Sequence, residues 1–201
     1  MDQLGDRISA LLESNDPYKN PGALRVIDEL IDVAVSENAS MVLRFSNYLR
    51  MVLELNHDET ILVLAGNVLG HLARAGGVMM NDEIERQLVI ALDWLCGERV
   101  EHHCLAAVLI LKEMAENAST VFYVFVPKFV ISIWFALRDP EENVREHAVE
   151  ALRACLQVIE KRETRWRMQW YHHMFEATQD GLVEMPPFIA YMVHCLPSEN
   201  F

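Results

Sequence analysis

Positive charge is scarce in this chain: 17 Lys and Arg stand against 30 Asp and Glu, a formal net charge of −13 at pH 7. That balance has the wrong sign for a general nucleic-acid or anionic-membrane binder. Glycine and proline are also sparse, at 8 and 7 of 201 residues, which excludes collagen-like and low-complexity chains. The four cysteines (Cys96, Cys104, Cys155, Cys195) include no Cys-x-x-Cys pair, as expected of reduced thiols in the cytoplasm or nucleus. The opening MDQLGDRISALLE lacks the basic and apolar regions of a secretory signal. Without that route, the sequons at Asn38-Ala39-Ser40 and Asn117-Ala118-Ser119 read as chance matches. Long apolar runs are few. The greasiest, Val121–Leu137, is 17 residues long with Pro127-Lys128 near its middle, so a buried helix is expected and not a membrane span. Apolar residues reach 52% in all, enough to bury a core.

Those apolar residues recur at helical spacing, with no sustained strand-like alternation. They also repeat. Ala23, Val26, Ile27 and Leu30 set a small–apolar–apolar–apolar pattern that returns as Ala65, Val68, Leu69, Leu72. It returns again as Cys104, Ala107, Val108, Leu111 and as Ala148, Ala151, Leu152, Cys155, the four registers starting 42, 39 and 44 residues apart. A small residue at the first position lets a neighbouring helix approach, and the other three complete one stripe. Partner helices are expected between them, at roughly Ala39–Leu53, Asn81–Leu95, Val121–Leu137 and Met168–Gln179. A period near 40 residues is that of HEAT or armadillo units. The expected fold is therefore all-α: a right-handed α-solenoid of about four HEAT-like helical hairpins over residues 1–182, followed by a divergent tail at 183–201.

The sharpest unit carries Pro127, then Asp139 and Pro140, Val144 and Arg145, and Ala148 and Leu152. Asp139 reads as an N-cap, Pro140 as the first helical residue, and Glu142 as the third in a capping-box-like arrangement. Proline inside the preceding helix predicts a kink there. Earlier units lack the Val-Arg pair, with Val100-Glu101 in one and Ile61-Leu62 in another. Gly66 and Gly70 lie inside a helix, at a cost of about 1 kcal/mol each relative to Ala, so close helix–helix approach is expected as compensation.

Candidate chemistry is thin. His102-His103-Cys104 suggests a metal cluster, but consecutive helical residues diverge by about 100° and cannot share one ion. The same holds for His172-His173. Glu141, Glu142, Glu146 and Glu150 form an acidic helical face, which suits solvation or a partner better than acid–base chemistry in an enclosed pocket. There is no Gly-x-Ser-x-Gly elbow, and no Gly-Lys-Ser/Thr follows Gly76-Gly77. Neither catalytic residues nor a cofactor or metal site is expected. A basic island within Arg153–Arg167 interleaves with aromatics, and Arg162, Arg165, Trp166, Arg167, Trp170 and Tyr171 form a candidate protein-partner patch.

The strings ALRVIDELIDVAVSENAS, FSNYLR, LGHLARAGG, LAAVLILKEMAENASTVF, ALRDP, VEALRACLQVIEKRETRW and QWYHHMFEATQDGL occur in this order between Ala23 and Leu182. They resemble the N-terminal HEAT region of target-of-rapamycin (TOR) kinases, members of the phosphatidylinositol-3-kinase-related kinase family. The spacing P-x(11)-D-P-x(3)-V-R-x(2)-A from Pro127 also resembles the HEAT consensus, in which the Asp caps and the Arg ties adjacent repeats in a ladder. The resemblance implies a segment of a large cytoplasmic serine/threonine kinase that couples nutrient status to growth. It further implies that this solenoid holds a raptor-like regulatory subunit and contacts the second protomer of a dimer, with catalysis in segments far C-terminal. Met1 aligns within the family's sequence, and VEMPPFIAYMVHCLPSENF departs from it, so a frameshift or splice origin is expected for the tail. With both ends of the array exposed, self-association is expected for the piece alone.

Overall fold

The computed structural model describes residues 7–8, 10–12, 19–37 and 39–162. Among the described residues there is no strand; helices follow one another with short turns between them. They are α1 (Asn20–Glu37), α2 (Ala39–Leu55), α3 (Glu59–Gly76), α4 (Asn81–Cys96), α5 (Glu101–Asn117), α6 (Ser119–Leu137) and α7 (Glu142–Lys161), with a 3-10 turn at Gly77–Met80. The fourth expected partner helix, Met168–Gln179, and the tail at 183–201 lie outside the described residues, as does the end of the basic island from residue 163 on.

Helix α3 shows why the chain breaks where it does. Asp58 is extended (φ −84°, ψ 118°), and its carboxylate accepts the Ile61 amide at 3.2 Å, satisfying an orphan donor of the first turn. Asn56, itself buried, accepts the Asp58 amide at 2.8 Å and so fixes the turn that presents that cap. At the other end Gly77 takes φ +52°, a left-handed conformation that suits glycine, and returns its amide to Ala73.

The helices pair as hairpins, α2 with α3 and α4 with α5, and α6 packs beside both members of the second hairpin. Helices α1, α3 and α5 lie side by side as one layer, while α2, α4 and α6 form the other. Helix α7 extends the first layer: Lys112 of α5 meets Glu150 at 3.2 Å, and Asn143 donates to Glu59 of α3 at 2.6 Å. The first compact unit, through Val158, is thus a stack of helical hairpins, an all-α repeat solenoid. Its core lies between the layers. The repeated stripes at Ala65–Leu72, Cys104–Leu111 and Ala148–Cys155 are all buried there. Helix α5 is covered nearly all round, with Cys104 through Leu111 buried without a break, as expected of a helix with neighbours on every side. The first stripe differs. Val26 is exposed and Leu30 half-buried, while Leu24 and Ile31 join Ala23, Ile27 and Ala34 inside. ALRVIDELIDVA offers two overlapping apolar stripes, and packing against α3 selects the one a residue removed.

The glycines of α3 admit its neighbour. A Cβ on Gly66 would lie 3.4 Å from Leu109 Cβ, an ordinary contact, whereas one on Gly70 would strike the Glu113 carboxylate and sit 2.7 Å from Asn117 Nδ2. Within α6, Pro127 falls on the exposed side, and the helix runs on from Ser119 to Leu137. By length and hydropathy α6 could cross a membrane, but here Phe122, Val126, Phe129, Val130 and Ile133 are buried in the array.

Candidate interaction surface at the hairpin turns

Three hairpin turns line one edge of the stack: Asn56–Asp58, Gly97–Val100 and Arg138–Glu141. Two are tied by an ion pair. Arg99 donates from Nε to Asp139 Oδ2 at 2.9 Å and from Nη2 to Oδ1 at 2.8 Å, a bidentate fork on a buried carboxylate. Burial pushes the Asp139 carboxyl up, but the Arg99 hydrogen bonds, the Glu141 amide and the charges of Arg99 and Arg145 outweigh it and hold the group below its ordinary range. The same hydrogen bonds raise Arg99 further above neutrality.

This rung departs from the expected motif in two respects. The inter-repeat arginine is Arg99, which precedes Val100 and reaches forward forty residues. Arg145, at the Val-Arg position, folds back instead and donates to the carbonyls of Asp139 and Pro140 at 2.7 Å each. Asp139 Oδ1 accepts the Glu141 amide at 2.9 Å in an Asx turn, and regular helix starts at Glu142. The Asp139 amide is bonded to Ala136, so the reciprocal half of the expected capping box does not close onto Glu142. Val144, Ala148 and Leu152 are buried, Arg145 is half-buried, and Pro140 is exposed.

Beside the rung, four rings meet. His57 and His102 pack edge-to-face with centroids 4.0 Å apart, His102 and His103 at 4.4 Å, and His103 stacks on Trp94 at 4.6 Å with an 8° interplanar angle. His103 Nε2 lies 3.1 Å from the Glu54 carbonyl. Burial, then the like charges of His57 and His103, hold His102 below the ordinary imidazole value. Consecutive histidines thus diverge into a stack between two turns. No group of three His, Cys, Asp or Glu side chains among the described residues is placed to hold a metal ion. His57 and His102 also line a cavity of about 440 Å³, together with Glu59, Glu101, Leu105, Glu141, Asn143 and Val144.

Other buried carboxylates are bonded across helices or within their own. Glu83 of α4 accepts Ser46 of α2 at 2.7 Å and Gln87 at 2.8 Å, and also pairs with Arg86. Glu113 accepts Asn117 Nδ2 at 3.0 Å, and burial raises its carboxyl despite Lys112 at 3.9 Å. Of the candidate partner patch, Arg162 is exposed just past α7. Arg165, Trp166, Arg167, Trp170 and Tyr171 lie outside the described residues.

Comparison with known proteins gives a consistent result. No protein-family model matches the chain. It is 65% identical over 187 residues, 93% of its length, to the serine/threonine-protein kinase TOR of Arabidopsis thaliana. It is 63% identical over 90% of its length to the protein of the same name in Oryza sativa subsp. japonica. Identity is 34% over 88% of the chain with the serine/threonine-protein kinase tor1 of Schizosaccharomyces pombe. The chain spans only about 8% of the length of these curated relatives. At such identity over nine-tenths of its residues, the chain belongs to the TOR kinase family and corresponds to one segment of it.

Proposed function

We propose that the chain is a non-catalytic HEAT-repeat scaffold segment of a TOR-like serine/threonine kinase acting in growth and nutrient signalling, in the cytoplasm or nucleus. Its role is to hold a raptor-like regulatory subunit and to contact a second protomer. The observation that carries this reading is the joint one: high identity to TOR kinases over one short segment, on a stack of hairpins in which Glu83 and Asp139 bind donors from another helix or turn. Buried carboxylates such as Glu83 and Asp139 are held by donors from adjacent helices or turns, an arrangement that stiffens a surface. Stacked hairpins of this kind present extended faces to partners. Enzymatic turnover in the family is assigned on this reading to other segments.

Co-precipitation of the tagged chain with a raptor-like subunit tests it. Capture that weakens on replacing Arg162, Arg165 and Arg167 by Ala is the expected result, with no phosphoryl transfer in the same sample. Phosphoryl transfer by the purified chain, or no capture, would overturn the reading.

A further inference from the structure

We propose that the cavity at the hairpin turns is a docking site for an arginine side chain presented by a protein partner, an assignment that rests on reading the array as a protein-binding scaffold. The walls differ in kind. Leu105 and Val144 supply an apolar floor, 7% and 1% exposed, and the His57–His102 pair supplies flat ring surface. Glu59, Glu101 and Glu141 add one carboxylate from each of three consecutive hairpins.

The carboxylates are not equivalent. Glu59 already accepts Asn143 and lies 3.8 Å from His147. Glu101 and Glu141 accept no side-chain hydrogen bond from the described residues, though both line the cavity. Glu101 opens α5, and Glu141 immediately precedes α7. A phosphate or acidic peptide would meet three negative charges, so anion capture at these helix ends is opposed.

An arginine matches all three surfaces together. Its methylene stem covers apolar floor, its planar guanidinium stacks on an imidazole, and its donor fork suits a carboxylate. His102, shifted toward its neutral form by burial and its neighbours, offers a ring for that stacking. The net charge of −13 favours the approach of a basic segment, and the cavity gives it a defined seat.

The test uses the full 201-residue chain. The probes are three Gly-Ser peptides with one arginine, one citrulline (its neutral isostere) or one glutamate at the centre, alongside inorganic phosphate. The readout is the ring C–H signals of His57 and His102 in NMR. The arginine peptide should shift both signals saturably, with the citrulline peptide about tenfold weaker for want of a charge-assisted bond. Glu101→Gln/Glu141→Gln, at exposed positions with the fold checked by circular dichroism, should abolish the response. Equal binding of citrulline, an undiminished response in the double variant, or saturable shifts with phosphate or glutamate would overturn the assignment. Capture of a raptor-like subunit without any arginine response would overturn it too, while leaving the scaffold reading intact.

Discussion

Gly66 and Gly70 lie one turn apart on α3, face the same neighbour, and should respond oppositely to the same substitution. In each case alanine gains about 1 kcal/mol of helix propensity. At Gly66 the added methyl would rest 3.4 Å from Leu109 Cβ and 3.9 Å from Glu113 Cγ, both tolerable. Gly66→Ala should therefore be neutral or stabilising by up to about 1 kcal/mol. At Gly70 the methyl would collide with the Glu113 carboxylate, approach Asn117 Nδ2 to 2.7 Å and Glu113 Cβ to 3.2 Å. Glu113 is 7% exposed and must move, stretching its bond to Asn117 in a buried place. Overpacking costs about 1–3 kcal/mol, and a disrupted buried hydrogen bond about as much again. Gly70→Ala should thus lose about 1–5 kcal/mol net after the propensity gain. Urea unfolding followed by circular dichroism measures both variants. Equal stabilisation by the two would refute the claim that Gly70 makes room for Glu113.

Other outcomes follow from burial and charge. Leu72→Ala, at a fully buried position, should cost about 2–5 kcal/mol, whereas Val124→Ala, 73% exposed, should stay within about 0.5 kcal/mol. Glu113 has a raised carboxyl, so its charge weighs on the fold above that raised value, and the burden lifts as pH falls through it toward the unfolded value. Glu113→Gln, which still accepts from Asn117, should therefore be more stable than the parent at pH 7 and lose that advantage at acid pH, as read by thermal melts. His102 has the opposite linkage: held low in the fold, it supports stability above the ordinary imidazole value and loses that support as pH falls through its folded value. His102→Phe should flatten the melting profile in that window. Alkylation mapped on peptides should modify exposed Cys96 before buried Cys104 and Cys155, the last two having thiols raised by burial.

The helices were legible in the sequence because small and apolar residues recycle about every forty positions, and the three later stripes are buried as their spacing required. The first stripe slipped because ALRVIDELIDVA is apolar on two adjoining faces, and only packing against α3 chooses between them. The ladder was legible only in part. Asp139 announced itself beside Pro140, but its arginine sits before Val100, where a search for Val-Arg misses it. A useful signal was available: an arginine in the preceding turn, forty residues back, is as able to reach the carboxylate as one inside the helix. The ring stack was hidden for another reason. His57, Trp94 and His102 are distant in sequence, and their meeting depends on the register of hairpins, which local spacing does not determine.

Neighbouring hairpins support one another across their turns, and the Arg99–Asp139 fork is where that support can be measured. A double-mutant cycle in thermal unfolding, with Arg99→Gln, Asp139→Asn and both together, isolates it. Each single change should lower the midpoint, and the double variant should fall no further than Asp139→Asn alone. Strictly additive losses would show that the two turns do not act on each other, and the stacked-hairpin account would be contradicted.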